Sequence, residues 1–158
     1  MENHLIGLDA AIAVTGLSKR TLWRRIAEGV VRKAPSGSGI AAASLLMEDV
    51  LMLSGLDLGA DDVRLLVEAD QGAAGAQAAM GQRFFLLQRY PAAIYWFERA
   101  AEQGEADAMQ CLGQCHAAGY GVLRDEHLAL MWIANAAAHG HAIARRQMAE
   151  LQGRGRLA

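Results

Sequence analysis

The sequence predicts a mainly α-helical protein that consists of a small helix-turn-helix domain and a short α-solenoid. Three observations support this fold class. Alanine is abundant while valine, isoleucine and threonine are sparse, which favours helices over strands. The second half of the chain repeats itself with a period of 32 to 36 residues, and the first half contains two short helical patterns around a glycine turn. A hydrophobic content of 53% with a charged content of 20% is typical of a globular protein.

The repeat is the strongest signal in the sequence. Residues 74–82 match residues 106–114 at an offset of 32, and the segment around Trp96 matches that around Trp132 at an offset of 36. The extra residues of the second copy fall in the glycine-containing loop 119–125. Two helices per copy and this period describe an α-solenoid. Partial copies on either side predict half-repeats that cap both ends, and we expect both tryptophans in the core.

Small residues are expected to let the two helices of each copy approach closely. In the first copy we predict that one face of the first helix packs against one face of the second. The first helix contributes Ala76, Ala79, Met80 and Gly81, and the second contributes Ala93, Trp96, Phe97 and Ala100. Alanine and glycine leave room for the neighbouring backbone, and the aromatic side chains fill the gaps that remain.

The marked positions of the second copy follow the pattern A-x-A-x-x-x-L-G, then G-x-G-V-x-x-D, then A-x-x-W-x-x-x-A-A-x-x-G. The residues that match it are Ala106, Ala108, Leu112, Gly113, Gly119, Gly121, Val122, Asp125, Ala129, Trp132, Ala136, Ala137 and Gly140. The first copy lacks the central loop and has Met80 where leucine is usual. Over residues 62–151 the chain resembles the Sel1-like repeat, a relative of the tetratricopeptide repeat. The resemblance implies a solenoid of about two helix pairs that serves protein–protein interaction.

The inner helices of a solenoid line a concave face, where we expect polar or adaptable side chains to meet a partner. The candidate protein-binding residues are Gln77, Gln82, Arg83, Met109, Gln110 and Gln114. With about two units, the groove has room for a peptide segment or one helix of a partner. The alternative is that these side chains are solvated surface.

The first 33 residues contain two short helices around a glycine turn. Gly16 permits the positive φ of a tight turn, and Ser18 is placed to cap the second helix. Leu22 and Ile26 are four residues apart and form the predicted buried seam, which turns the basic side chains outward. Asp9 is the predicted N-cap of the first helix. Two helices with basic residues at the start of the second are typical of a helix-turn-helix.

Residues 16–24 read G-L-S-K-R-T-L-W-R and are followed by Glu28-Gly29. With these residues the segment 8–33 resembles the winged helix-turn-helix of the MerR, AlpA and excisionase type. In that resemblance residues 30–33 pair with residues 38–40 as the wing, and residues 44–51 form a third helix.

The resemblance implies DNA binding. Lys19, Arg20 and Thr21 are expected to reach bases or phosphates in the major groove, while other side chains hold phosphates. The candidate DNA-binding residues are Ser18, Lys19, Arg20, Thr21, Trp23, Arg24, Arg25, Arg32 and Lys33. The alternative is a helix-turn-helix that is kept as a structural or protein-binding unit, in which case the protein is an adaptor.

Charge is unevenly distributed along the chain. Residues 1–40 carry six basic and three acidic side chains, whereas the remainder carries nine basic and fourteen acidic ones. A basic head and an acidic body suggest different partners for the two parts. We predict a helix-turn-helix domain over residues 1–54, a repeat domain over residues 60–152, and a flexible tail over residues 153–158.

No catalytic or cofactor-binding motif is present, so we expect neither an enzyme nor a cofactor. Cys111, Cys115, His116 and His127 permit a zinc reading, but the cysteines occupy ordinary repeat positions, and we expect buried thiols instead. No apolar run approaches the ~20 residues of a membrane span. Two cysteines four residues apart within one helix favour a reducing cytoplasm. The sequence contains no sustained heptad repeat, so we do not predict a coiled-coil dimer. The oligomeric state stays open.

Overall fold

The computed structural model describes residues 4–35 and 43–155 of the chain. The fold divides into two compact units, Met1–Gln71 and Gly72–Ala158. Within the described residues, the N-terminal unit contains strand β1 (Leu5–Gly7), helices α1 (Leu8–Thr15) and α2 (Lys19–Ala27), strand β2 (Ser44–Leu46), and helices α3 (Met47–Ser54) and α4 (Ala60–Asp70). The C-terminal unit contains α5 (Ala74–Leu86), α6 (Tyr90–Glu102), α7 (Ala106–Ala118), α8 (Glu126–Ala138) and α9 (Ala142–Gly155).

The turn between α1 and α2 has the predicted local chemistry. Gly16 ends α1 with a φ of 68°, in the left-handed region where glycine is favoured. The Ser18 side chain caps α2 by accepting a hydrogen bond from the Thr21 backbone N–H at 3.1 Å. Leu22 is fully buried and Ile26 is half-buried. These features confirm the predicted turn, cap and seam. The predicted cap at Asp9 is wrong, because Gly7 is the N-cap of α1 and Asp9 lies in the first turn.

A small antiparallel sheet replaces part of a predicted helix. Strand β1 pairs with β2 so that Leu5 lies opposite Leu46 and Gly7 lies opposite Ser44. We had expected a helix from residue 44, whereas α3 begins at Met47. Leu45 is fully buried at the centre of β2, and pairing with β1 satisfies backbone groups that a helix would otherwise bond internally.

The segment that was predicted as the first strand of the wing also pairs with β2. Lys33 forms an isolated antiparallel bridge with Leu45. Around it, the Leu46 N–H donates to the Arg32 carbonyl at 3.0 Å, and the Ala34 N–H donates to the Ser44 carbonyl at 2.9 Å. The predicted second strand of the wing, residues 38–40, lies outside the described residues.

Helix α4 belongs to the N-terminal unit, although the sequence suggested a half-repeat of the solenoid. The Gly7 backbone N–H donates a hydrogen bond to Asp70 Oδ2 at 2.7 Å, which joins the end of α4 to the start of α1. Of the apolar positions predicted for this helix, Leu66 is fully buried while Val63 and Val67 are half-buried. The boundary between the units therefore falls after Gln71, later than the predicted junction.

The C-terminal unit contains the predicted helix pairs, α5 with α6 and α7 with α8. A Cβ atom built on Gly81 would lie 2.4 Å from Phe97 Cδ1, and one built on Gly113 would lie 2.7 Å from Ile133 Cγ1. Both distances are shorter than van der Waals contact, so each pair packs as closely as it does because these positions lack a side chain. The predicted contact between Gly81 and Phe97 is confirmed.

The loop between α7 and α8 is fixed at both ends. Asp125 caps α8 by accepting hydrogen bonds from the backbone N–H groups of His127 at 2.9 Å and Leu128 at 3.0 Å. Gly121 has a φ of 69°, and a Cβ atom there would lie 2.8 Å from the carbonyl carbon of Tyr90. A glycine is therefore required where this loop crosses the start of α6.

Two predictions for the C-terminal unit need correction. Trp96 is fully buried, but Trp132 is only half-buried and does not belong to the core in the same way. Helix α9 continues to Gly155, so the predicted flexible tail from residue 153 is helical as far as the structure describes it. Within residues 4–35 and 43–155, no helix is both long and apolar enough to cross a membrane.

Candidate functional site

Helix α2 presents several exposed cations of the N-terminal unit. Lys19, Arg20 and Arg24 are exposed, while Ser18 and Thr21 hydrogen-bond to each other through their hydroxyl groups at 2.9 Å. Lys19 and Arg20 form no ion pair with any residue that the structure describes. Their charges are therefore available to an anion in solvent.

Trp23 and Lys33 form a second feature of this surface. Lys33 Nζ lies 5.4 Å from the centroid of the Trp23 ring, which is 38% exposed. Such a cation–π contact contributes about 0.5–1 kcal/mol at an exposed site. This contact places the charge of Lys33 against the outer face of α2. Lys33 belongs to the segment that forms the isolated bridge with Leu45 of β2.

The remaining arginines of the predicted DNA-binding set are engaged within the unit. Arg25 donates to Glu28 at 3.1 Å, and Arg24 lies 3.9 Å from the same carboxylate. The Arg32 guanidinium donates to Asp49 at 2.8 and 2.9 Å and also pairs with Glu48. The Arg32 guanidinium lowers the pKa of Asp49 below its usual range.

These contacts change the predicted roles. Arg32 is held by two carboxylates, so it serves to fasten residues 30–34 to α3 and is a poor phosphate ligand in this arrangement. The whole N-terminal unit contains seven basic and ten acidic side chains. The predicted basic head is therefore a local basic surface at α2 on an acidic unit.

The C-terminal unit contains a cavity of about 270 Å³ between α5 and α7. Its lining is mostly apolar and carries no charged side chain: Gln82, Phe85, Leu86, Phe97, Cys111 and Gln114. Phe97 of α6 reaches it from between the two inner helices and is 1% exposed. Gln82 and Gln114 are exposed, which gives an apolar recess with amide donors and acceptors beside it.

One wall of the cavity is held by an aromatic cluster. The Phe85 ring packs edge-on against Tyr90 at 5.2 Å and against Tyr120 at 5.4 Å, and the two tyrosines stack at 4.9 Å. Leu86, which follows on the same wall, is 75% exposed. The recess thus combines a fixed aromatic wall with an accessible apolar side chain, as a preformed binding site does.

The predicted protein-binding residues are divided by the structure. Gln82, Arg83 and Gln114 are exposed, but Gln77, Met109 and Gln110 are buried, with exposures of 4%, 5% and 4%. Gln103 donates to Gln77 at 2.8 Å, and Gln110 donates to Gln147 at 3.0 Å. The expectation of exposure is therefore wrong for these three.

Four lining residues were not predicted: Phe85, Leu86, Phe97 and Cys111. A signal for two of them exists in the sequence. Met80 and Phe84 are four residues apart and define the buried side of α5, and Phe85 and Leu86 lie off that side although both are apolar. Apolar residues outside the buried stripe of a helix indicate an interaction surface.

The two cysteines are free and non-ionised. Burial raises the pKa of Cys111 and of Cys115 to about 11, so both are neutral thiols near pH 7. Nowhere in the described part of the chain do three histidine, cysteine, aspartate or glutamate side chains gather closely enough to hold a metal ion.

Paired antiparallel helices that stack around shared small residues define the C-terminal unit as an α-solenoid. Residues 74–105 and 106–141 match the Sel1 repeat. The chain therefore carries two Sel1 repeats, formed by α5 with α6 and by α7 with α8, and the predicted pair of repeats is confirmed. Sel1 repeats constitute a protein–protein interaction module.

Solved structures that resemble the chain include two with a Sel1 or SLR fold. The crystal structure of a Sel1 repeat protein from Oxalobacter formigenes matches with a TM-score of 0.52 and 25% identity, covering 90% of this chain and 92% of that chain. A protective antigen present in uropathogenic Escherichia coli strains, which displays an SLR fold, matches with a TM-score of 0.55 and 26% identity. That match covers 92% of this chain and 32% of the antigen. No curated protein sequence matches this chain significantly.

Proposed function

We propose that the protein acts by binding rather than by catalysis, and that its Sel1 unit holds a segment of a partner protein in the recess between α5 and α7. The observation that carries this proposal is the preformed apolar cavity of about 270 Å³ with exposed glutamines beside it. Burial of one large apolar side chain of the partner contributes about 1.5–3 kcal/mol. The neighbouring amides fix the backbone of the segment by hydrogen bonds.

Site-specific photo-crosslinking in cells tests this proposal. A photoreactive amino acid at Gln114, which lines the recess, should capture a partner, and the same amino acid at the exposed Glu126, which lines neither cavity of this unit, should not. The substitution Leu86→Asp should abolish capture from position 114, because it places a charge in the apolar wall. Leu123→Asp is the matched control, since Leu123 is 90% exposed and does not line the recess. Equal capture in both variants contradicts the proposal.

For the N-terminal unit we propose a winged helix-turn-helix that binds DNA through α2 and regulates transcription in the cytoplasm. The supporting observation is that Lys19 and Arg20 are exposed at the start of a capped helix and are not paired within the described chain. The Lys33 ammonium over Trp23 adds a third cation to the same face. The excess of acidic residues in the rest of the unit makes such binding weak. The few cations at α2 make it dependent on salt.

A mobility-shift titration against genomic fragments at low salt tests DNA binding. Arg20→Ala and Lys19→Ala should each weaken the complex and reduce the slope of log affinity against log salt by about 1. Arg64→Ala, which removes an exposed arginine from α4 in the same unit, should leave both quantities unchanged. Absence of retardation at low salt, or an equal effect of all three substitutions, contradicts DNA binding. Either result favours the adaptor hypothesis, in which this unit binds protein.

A further inference from the structure

A second cavity opens on the C-terminal unit between α8 and α9, with a volume of about 230 Å³. Its lining residues are Ile133, Gln147, Glu150, Leu151 and Arg154. Two of these are apolar, and Leu151 is 49% exposed, so the cavity is accessible from solvent.

Three lining residues of the second cavity correspond to lining residues of the first at a fixed offset in the sequence. Adding 36 residues to Phe97 gives Ile133, and adding 36 to Gln114 gives Glu150. Cys111 is related to Gln147 in the same way. One side of each recess therefore lies at the same place in the repeat, formed by α6 and α7 in the first and by α8 and α9 in the second.

Helix α9 is fastened in the position that forms the second recess. Gln110 of α7 donates a hydrogen bond to Gln147 of α9 at 3.0 Å, and both side chains lie at least partly inside the fold. His141 caps α9 through Nδ1, which accepts a hydrogen bond from the Ala144 N–H at 3.1 Å. The two recesses therefore keep a constant separation set by the packing of neighbouring helices.

The two recesses differ in charge. The first is lined by no charged side chain, whereas Glu150 and Arg154 line the second. Arg146 Nε donates to Glu150 at 3.2 Å, so the described ion pair of that carboxylate is with Arg146 and not with Arg154. Arg154 forms no ion pair with any residue in the described ranges, so its charge is available to a ligand carboxylate.

We propose that one extended segment of a partner protein occupies both recesses. This inference rests on the proposed binding of a partner segment in the recess between α5 and α7. The segment places one apolar side chain in each recess and an aspartate or glutamate against Arg154. Neighbouring packed helices are about 8–10 Å apart. An extended chain in the polyproline II conformation advances about 3.1 Å per residue and turns once every three residues, so that side chains three residues apart lie on the same side. The two apolar side chains are therefore three residues apart in the partner. A helical partner would need about seven residues for the same distance.

Selection from a phage-displayed library of random dodecapeptides against the immobilised full-length chain tests the proposal. The expected consensus has two apolar positions three residues apart and an acidic residue next to one of them. A synthetic peptide of the selected sequence is then titrated against the variants. Leu86→Asp and Leu151→Asp should each weaken it at least about tenfold, because each removes one apolar anchor site.

Charge at the second recess is tested with a matched pair on α9. Arg154→Glu should weaken binding of the peptide by about tenfold. Arg145→Glu makes the same change of charge at an exposed residue that does not line the cavity, and it should have little effect on binding. Replacing the acidic residue of the peptide by its amide should remove the difference between these variants. Circular dichroism and urea midpoints establish that each variant is folded.

The outcomes separate this inference from the proposal on which it rests. Binding that is sensitive to Leu86→Asp but not to Leu151→Asp or Arg154→Glu overturns the two-recess inference and leaves the first recess as a binding site. An apolar spacing of seven overturns the extended form of the ligand. Failure to select any peptide, or binding that no recess variant affects, overturns both.

Discussion

At the scale of single residues, the C-terminal unit depends on two glycines that let helices meet. Gly81 faces Phe97 and Gly113 faces Ile133, and the space that a methyl group would need is occupied in both cases. Alanine is intrinsically the better helix former by about 1 kcal/mol, so helix propensity alone favours replacing either glycine. The glycines are required by packing between helices and not by the helices themselves.

Gly81→Ala should therefore destabilise the protein by about 1–3 kcal/mol, because the new methyl group would lie 2.4 Å from Phe97 and must displace a buried ring. The free energy of unfolding from urea titration measures the effect. Gly75→Ala on the same helix is the control, since a Cβ atom at Gly75 meets nothing within 4 Å. It should be neutral or slightly stabilising. Destabilisation of similar size in both variants would show that the close contact is not the cause.

At the scale of elements, the N-terminal unit is joined by contacts between segments that are far apart in the sequence. Strand β2 is shared between β1 and the segment around Lys33. Arg32 fastens that segment to α3 through Asp49, and Asp70 fastens α4 to the start of α1. Two carboxylates thus hold elements in place, and each can be tested separately.

The ion pair between Arg32 and Asp49 should make stability depend on acidity. Because the pKa of Asp49 is lower in the folded protein than its ordinary value of 3.8, the unfolded chain binds the proton more readily. The stabilisation is complete above about pH 4 and is lost as the pH falls through the lowered pKa. The difference in free energy of unfolding between the wild type and Asp49→Asn should therefore shrink below that value. Asp57→Asn, at an exposed position, serves as the control, and an equal change in both variants would show that the ion pair is not the cause.

Asp70→Ala should destabilise the N-terminal unit by about 1–3 kcal/mol, because it leaves the Gly7 N–H without its acceptor. A carboxylate at the C-terminal end of a helix is unfavourable by itself, so the effect of charge on α4 has the opposite sign. Thermal unfolding followed by circular dichroism measures the change. Glu68→Ala, an exposed residue of the same helix, serves as the control. A stabilised Asp70→Ala variant would contradict the role of this hydrogen bond.

At the scale of the whole molecule, the division into units redistributes the charge. The first 40 residues have an excess of basic side chains, but the complete N-terminal unit has an excess of acidic ones. The C-terminal unit carries eight basic and seven acidic side chains and is nearly neutral. Any contact with nucleic acid must then rely on the local surface at α2, while the repeat unit is suited to largely apolar recognition with a small positive contribution from Arg154.

The C-terminal unit should fold without the N-terminal one, because each of its repeats buries its own helix interface. A fragment of residues 72–158 is expected to show a helical circular dichroism spectrum and one cooperative urea transition. It should also bind a peptide selected on the full-length chain with the same affinity. A fragment with little helical signal would show that the repeats depend on the N-terminal unit for their stability.

The sequence by itself determined the features that arise from neighbours along the chain. The helix pairs, the Ser18 cap, the left-handed Gly16 and the contact of Gly81 with Phe97 follow from capping, backbone freedom and the repeat pattern. Only the tertiary structure decided the conformation of segments whose partners are distant in the sequence. There, the free energy of pairing with the distant segment exceeds the intrinsic propensity of the local sequence. The tertiary structure made residues 44–46 a strand, assigned α4 to the N-terminal unit, and buried glutamines whose partners lie 26 and 37 residues away.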